Sequence, residues 1–255
     1  PLGQFCGYIT EGLYQVDDFN YDASTQTYTL KDGIPYHGDK GRIRPGMWKF
    51  KNLAGDDNVI DENDKTVIGN AQPKFYGGLN NSFTYKGFDL SIFLTFSYGN
   101  EVLNATKLVT SKVGSLNYNA LDVMNSSNRW MTINSDGQKV TDPGELAALN
   151  AGKTVAAYHD AQQGDNYIHS WAVEDASYLK LSNVTLGYTF PKNLIARVGL
   201  KNLRLYATGN NLLTWTKYSG FEPEVSTMKS GLTPGVDFGA YPLSRSFIFG
   251  LNVAF

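Results

Sequence analysis

One cysteine, no long apolar run and little charge define this sequence by what it lacks. Cys6 is the single cysteine in 255 residues. That excludes an internal disulfide and a cysteine-built zinc site, and Cys6 reads as a small residue on a strand. No stretch approaches the ~18 consecutive apolar residues of a membrane-crossing helix. A helical span is therefore excluded, but a membrane barrel is not, because alternating strands average out in any hydropathy window. Charged residues are 18% of the chain, below the ~25% usual in soluble proteins. The net charge of −2 supplies no basic field for nucleic acid or anionic lipid. HExxH-type metal spacing, a nucleophile elbow and a phosphate-cradling glycine loop are all missing. His37, His159 and His169 are scattered and read as ordinary loop histidines, although Asp39 and Asp160 stand near two of them. No leader pattern opens the chain, and Pro1-Leu2-Gly3 reads as the interior of something longer.

What is present is aromatic residues at 13%, 26 glycines and a repeated period of two, all of which favour strands and turns. Residues 74–86, KFYGGLNNSFTYK, put Phe75, Leu79, Phe83 and Tyr85 on one face and Asn80, Ser82 and Thr84 on the other. Residues 88–98, FDLSIFLTFSY, oppose Phe88, Leu90, Ile92, Leu94, Phe96 and Tyr98 to Asp89, Ser91, Thr95 and Ser97. Lys86-Gly87 joins them in a tight hairpin. Residues 178–190 continue the design, but Leu179 and Leu181 are out of phase with Val184, Leu186 and Tyr188, which predicts a bulge near Ser182. Residues 203–215 and 244–255 complete five strands, and 5–16 is a weaker sixth. The last strand turns Phe247, Phe249, Leu251, Val253 and Phe255 one way and Gly250 and Asn252 the other.

The connections are asymmetric. Residues 86–87 and 191–202 are short, whereas 17–73, 99–177 and 217–244 are long. Long outer loops alternating with short periplasmic turns are a habit of outer-membrane barrels. Period two alone also fits a soluble β-sandwich with one buried face per strand. A closed barrel needs at least eight strands, so six are either a piece of a larger barrel or an undercount.

Several segments resemble the C-terminal part of SusC/RagA-type TonB-dependent transporters of Bacteroidetes. They are PLGQFCGYITEGLYQ at the start, residues 58–100, SWAVEDASYLKLSNVTLGYTFP at 170–191, LRLYATGNNLLTWTKYSGFEPEVS at 203–226, and PGVDFGAYPLSRSFIFGLNVAF at 234–255. The resemblance implies an all-β fold in which residues 1–255 supply the last ~6 antiparallel strands of a 22-stranded barrel. Plug and earlier strands would lie outside this sequence. It also implies import rather than catalysis, an outer-membrane location in contact with lipid, TonB as energy source, a SusD-like surface lipoprotein as lid, and oligosaccharide or peptide cargo. The terminal Phe255 fits the aromatic signal read by barrel-assembly machinery. The alternative is a secreted carbohydrate-binding β-sandwich.

Residues 54–69, AGDDNVIDENDKTVIG, crowd oxygen ligands together: Asp56, Asp57, Asn58, Asp61 and Asp64 would suit a structural Ca²⁺. Related transporters often read D-x-N-G-D-G-x-I-D-x-x-D here. Asn52 and Ala54 depart from that pattern, and a solvated acidic turn is the alternative. Trp48, Trp130 and Trp171, with Tyr118, Tyr158 and Tyr167, fall in long connections, where flat rings could stack on cargo or meet the lid; packing the loops together is the alternative. Tyr98, Trp215 and Tyr218 are placed in an interfacial aromatic girdle. Glu174-Asp175, a pair that glycoside hydrolysis could use, reads instead as loop-to-strand structure. Residues 141–160 read as a helix capped by Asp142 with Pro143 at its first position.

Overall fold

The computed structural model describes residues 2–55, 57–111, 119–157, 167–227 and 233–255. It divides into two compact units. One contains Pro1–Gly3, Asn70–Val102 and Glu174–Phe255; the other contains Gln4–Gly69 and Leu103–Val173.

The first unit is built on five long strands: β1 (Phe75–Tyr85), β2 (Phe88–Tyr98), β3 (Tyr178–Thr189), β4 (Asn202–Thr216) and β5 (Ser246–Ala254). They pair antiparallel in the order β5-β4-β3-β2-β1, a plain meander. Lys86 and Gly87 both take positive φ, 46° and 89°, the type I′ geometry whose twist matches its flanking strands. The predicted bulge is at Ser182: pairing steps from Phe93↔Asn183 to Leu94↔Leu181 and skips it. That one extra residue returns Leu179 and Leu181 to the face of Val184 and Leu186.

Cross-strand partners share a face, so the register sorts the side chains. One face carries the rows Tyr85–Phe88–Tyr188–Leu205–Leu251, Phe83–Leu90–Leu186–Ala207–Phe249 and Leu79–Leu94–Leu181–Leu213. No charge enters these rows, and they are open: Phe83 is 58% exposed and Phe249 81%. The opposite face carries Ser82–Ser91–Thr185–Thr208, Asn80–Phe93–Asn183–Asn210–Ser246 and Thr84–Asp89–Gly187–Tyr206–Gly250. Its side chains bond to each other across strands, including Thr185 Oγ1 with Thr208 Oγ1 at 2.8 Å and Asn183 Nδ2 donating to Asn210 Oδ1 at 2.7 Å.

Two glycines on the polar face make room for larger neighbours. Arg204 Nε donates to Asp89 Oδ1 at 2.9 Å, and Nη2 to Oδ2 at 2.5 Å. The pair meets over Gly187, where a Cβ would lie 2.5 Å from both the guanidinium and the carboxylate. The Tyr206 ring lies over Gly250 in the same way.

The 5–16 segment does not join the sheet. It breaks into Gln4–Gly7 and Thr10–Leu13 in the second unit. Phe5, Tyr8, Leu13 and Tyr14 are all buried; they fall on both parities, so no alternating face survives. Gly12, at φ 101°, also breaks the register between Thr10 and Gly12. The long connections are likewise not irregular. Most of 17–73 and 99–177 folds into the second unit, where short pairs such as Thr10–Leu13 with Trp48–Phe50 and Phe19–Asp22 with Thr27–Leu30 frame two apolar clusters. The predicted helix is there but short, Pro143–Leu149, with Asp142 Oδ1 accepting from Glu145 N at 3.0 Å. It ends before Gly152, whose φ of 77° leaves the helical region.

Placing a methyl group between Asp89 and Arg204 tests the glycine's role. Gly187→Ala in the full-length protein is expected to cost about 1.5–3 kcal/mol, the scale of charged hydrogen bonds. Urea unfolding reads it. Combined with Asp89→Asn, the loss should be clearly less than additive; full additivity would show that Gly187 does not serve this pair.

Candidate functional site

The polar face of the sheet is partly roofed at its long-connection end. Lys180 on β3 points to this face and is 3% exposed. Its Nζ lies 2.5 Å from Glu224 Oε2 and 3.5 Å from Glu222 Oε1. Tyr178 donates its hydroxyl to Glu224 Oε1 at 2.6 Å. Both glutamates follow β4, so these contacts fold the outgoing chain back across β3. Burial pushes the Glu222 carboxyl up, and Lys180 only partly opposes it. Burial would also raise Glu224, but Lys180 and Tyr178 outweigh it and hold that carboxyl below its usual range. Two further ties fix the segment. Tyr218 donates its hydroxyl to Asp237 Oδ2 at 2.5 Å, and Ser219 donates from N and Oγ to Glu174, both at 2.9 Å.

Beneath this roof is a cavity of about 400 Å³, lined by Tyr76, Thr95, Ser97, Glu101, Tyr178 and Glu224 among others. A second, of about 500 Å³, shares Asn100 and Glu101 with it and adds Lys74, Asp175 and Ser177. The arrangement offers a hydrogen-bonding wall beside an exposed tyrosine ring. Glu174 and Asp175 are acceptors for local structure, as the loop-to-strand reading has it: Glu174 receives Ser219, and Asp175 receives Ser177 N at 2.9 Å.

The acidic loop is organised by backbone donors. Asp64 is 1% exposed. Its Oδ1 accepts from Leu53 N at 2.6 Å and Ala54 N at 2.9 Å, and its Oδ2 from Asp61 N at 2.8 Å. Burial would raise this carboxyl; the three N–H donors outweigh it and keep it below the ordinary range. Asp61 accepts from Asn63 N at 2.7 Å, Asp57 from Val59 N at 3.1 Å, and the Asn58 carbonyl from Tyr36 N at 2.9 Å. Asp56 lies outside the described residues. Among those described, no three His, Cys, Asp or Glu side chains gather in a metal-holding group.

Of the two readings open for the tryptophans, their burial fits packing the loops together. Trp48 and Trp130 are buried in the second unit's main cluster, 8% and 1% exposed, and Trp171 packs half-buried against it. Lys107 Nζ sits 4.1 Å above the Trp171 ring. Their apolar area is spent on packing, as is that of Tyr167; Tyr118 and Tyr158 lie outside the described residues. Tyr98 and Trp215 are exposed, as a girdle requires, but Tyr218 is 5% exposed and belongs to the loop ties. Sequence reasoning missed Lys180, Glu222 and Glu224. The available signal was a lone lysine inside YLKLSNVTLGYT, on the polar parity, with FEPE following the next strand.

Comparisons with known proteins agree along the whole chain. It is 32% identical over 259 residues to TonB-dependent receptor P3 of Formosa agariphila, covering 100% of this chain and 22% of that protein. Receptor P39 of the same organism is 30% identical over 276 residues, covering 100% and 25%. TonB-dependent receptor SusC of Bacteroides thetaiotaomicron is 28% identical over 226 residues, covering 86% and 18%. Among solved structures, the RagAB peptide importer in its closed-closed state aligns with a TM-score of 0.62 at 19% identity, over 98% of this chain and 23% of that one. The RagAB peptide transporter gives 0.60 at 20%, over 99% and 22%. No protein-family model matches the chain. The chain therefore spans a quarter or less of the length of these relatives.

Two substitutions test how the site is held. Lys180→Met in the intact protein leaves the buried Glu222 and the partly exposed Glu224 without their cation, at a cost of about 1–3 kcal/mol. Residues 217–227 should then lose hydrogen-exchange protection while β3 keeps its own; unchanged protection would show that the ion pairs do not hold the segment. Asp64→Asn replaces an acceptor oxygen by a donor facing backbone N–H groups. It should lower stability by about 1–3 kcal/mol and expose residues 52–64 to exchange.

Proposed function

This chain is homologous to TonB-dependent receptors along its whole length and to SusC over 86% of it, and on that premise we propose that it is the C-terminal part of the barrel of an outer-membrane nutrient importer. The observation that carries the reading is the separation of the two faces of the meander. The apolar rows Phe83–Leu90–Leu186–Ala207–Phe249 and their neighbours bear no charge and face lipid. The polar rows, with the Asp89–Arg204 pair and the Lys180 cluster, face the lumen. Strands of 9 to 15 residues meet the ~9–11 needed to cross a bilayer. The two open edges, β1 and β5, are completed by the remaining strands of a closed barrel, since an unpaired edge in lipid costs several kcal/mol per backbone group.

In this reading the chain transforms nothing covalently. It supplies lumen wall, and at the long-connection end it lines the vestibule through which glycan or peptide cargo enters. TonB acts through the plug, outside this segment, and a SusD-like lipoprotein closes the outer mouth. A structural Ca²⁺ in the acidic loop would have to draw mainly on Asp56, Asp57, Asn58 and Asp61, because Asp64 already serves three N–H donors. A secreted sandwich would need a second sheet over the apolar rows, and the described residues hold none.

Paired substitutions one residue apart on β2 decide between lipid and water. In the full-length receptor, Leu90→Arg places a charge on the apolar face at ~2–4 kcal/mol near the bilayer midplane. It should sharply reduce folded receptor in the outer membrane. Ser91→Arg, on the polar face, should be tolerated. Equal tolerance of both would sink the transmembrane reading.

A further inference from the structure

The second unit buries a histidine with nothing to bond to. His37 is 2% exposed, and neither ring nitrogen has a hydrogen-bond partner. Buried polar groups are nearly always paired, and an exception calls for a reason. Its place gives one. The short strand Tyr36–His37 pairs parallel with Val59–Ile60, which sets the imidazole between the unit's two apolar clusters. Tyr14, of one cluster, stacks at 6.4 Å; Phe50 and Tyr167, of the other, lie at 4.9 and 5.2 Å.

We propose that His37 is an acid-release point for this unit: protonating its imidazole puts an unpaired charge at the seam between the two clusters and loosens them. Among the described residues, the groups packed against it offer that charge no carboxylate. Tyr14 gives its hydroxyl to the Pro35 carbonyl at 2.7 Å, and Tyr167 is a phenol. Behind Tyr14, Lys49 sits 5.7 Å from the ring centre and is already paired with Asp18 at 3.1 Å. Just after the strand beside His37, Asp61 and Asp64 are engaged by backbone N–H groups and Glu62 by Lys65. His169 packs against Phe50 at 5.3 Å.

Burial drives the His37 pKa from 6.5 down to about 4. A folded-state value below the unfolded one means that the unfolded chain takes the proton first. The contribution of His37 to stability is therefore complete above about pH 6.5 and is lost as pH falls toward 4, by about tenfold in the opening equilibrium per pH unit.

The experiment is hydrogen exchange on the intact receptor in detergent, normalised to intrinsic rates, at pH 7.5 and 5. Protection over residues 10–60 should fall at least tenfold in the wild type. His37→Phe, which keeps a flat ring without the titrating group, should hold its protection at both values, while His169→Phe should behave as the wild type. Wild-type protection that ignores pH overturns the proposal, as does a His37→Phe protein that loosens as much as wild type. If His37→Phe does not fold, histidine-selective NMR on the wild type decides. An imidazole that takes its proton near pH 6.5 while the unit stays protected refutes the idea; one that stays neutral until the unit opens supports it.

Discussion

Everything in the first unit depends on where its apolar face can go. A meander that sends Phe83, Leu90, Leu186 and Phe249 to one side must cover that side or place it in a non-aqueous medium. Each fully buried large side chain is worth about 1.5–3 kcal/mol. A soluble fold would cover those rows with a second layer, yet they stand open. The polar face has the opposite economy: its hydroxyls, amides and the Asp89–Arg204 pair satisfy one another across strands. Such a surface is indifferent to a layer above it and suits a wet lumen. The same sheet cannot be turned over, because the Ser182 bulge keeps all of β3 in one phase.

The loops obey a different rule. A long connection that stayed irregular would leave backbone groups and many aromatic rings exposed. Here most of the two longest connections share a core, with Trp48, Phe50 and Trp130 at its centre. The third connection is tied down, among the described residues, by charge and hydrogen bonds at Lys180, Glu174 and Asp237. Apolar content decides which route a connection takes. The segment after β4 offers Tyr218 to a small cluster with Val102 and Ala176, and otherwise depends on polar ties.

That difference explains what could be read in advance. The five strands, the hairpin at Lys86-Gly87 and the bulge at Ser182 were legible because period two is a local property, and a phase break has only one economical cure. The capped start at Asp142 was legible for the same reason. The 5–16 segment misled because Phe5, Tyr8, Leu13 and Tyr14 resemble a strand until two-sided burial is known. The tryptophans left two readings open because an aromatic ring looks the same in sequence whether it stacks on a ligand or fills a core. The Lys180 cluster joins residues more than forty positions apart, and only the fold puts them together.

The acidic loop shows how one chemistry can stand in for another. The loop resembles the oxygen-rich pattern D-x-N-G-D-G-x-I-D-x-x-D. This chain has Asn52 and Ala54 where that pattern begins. The last acid of the series, Asp64, turns to the backbone N–H groups of residues 53, 54 and 61. An N–H donor carries only partial positive charge, but three of them meeting one buried carboxylate satisfy both oxygens. They close the loop over the same span. The fold of this turn therefore follows from Asp64 and the backbone.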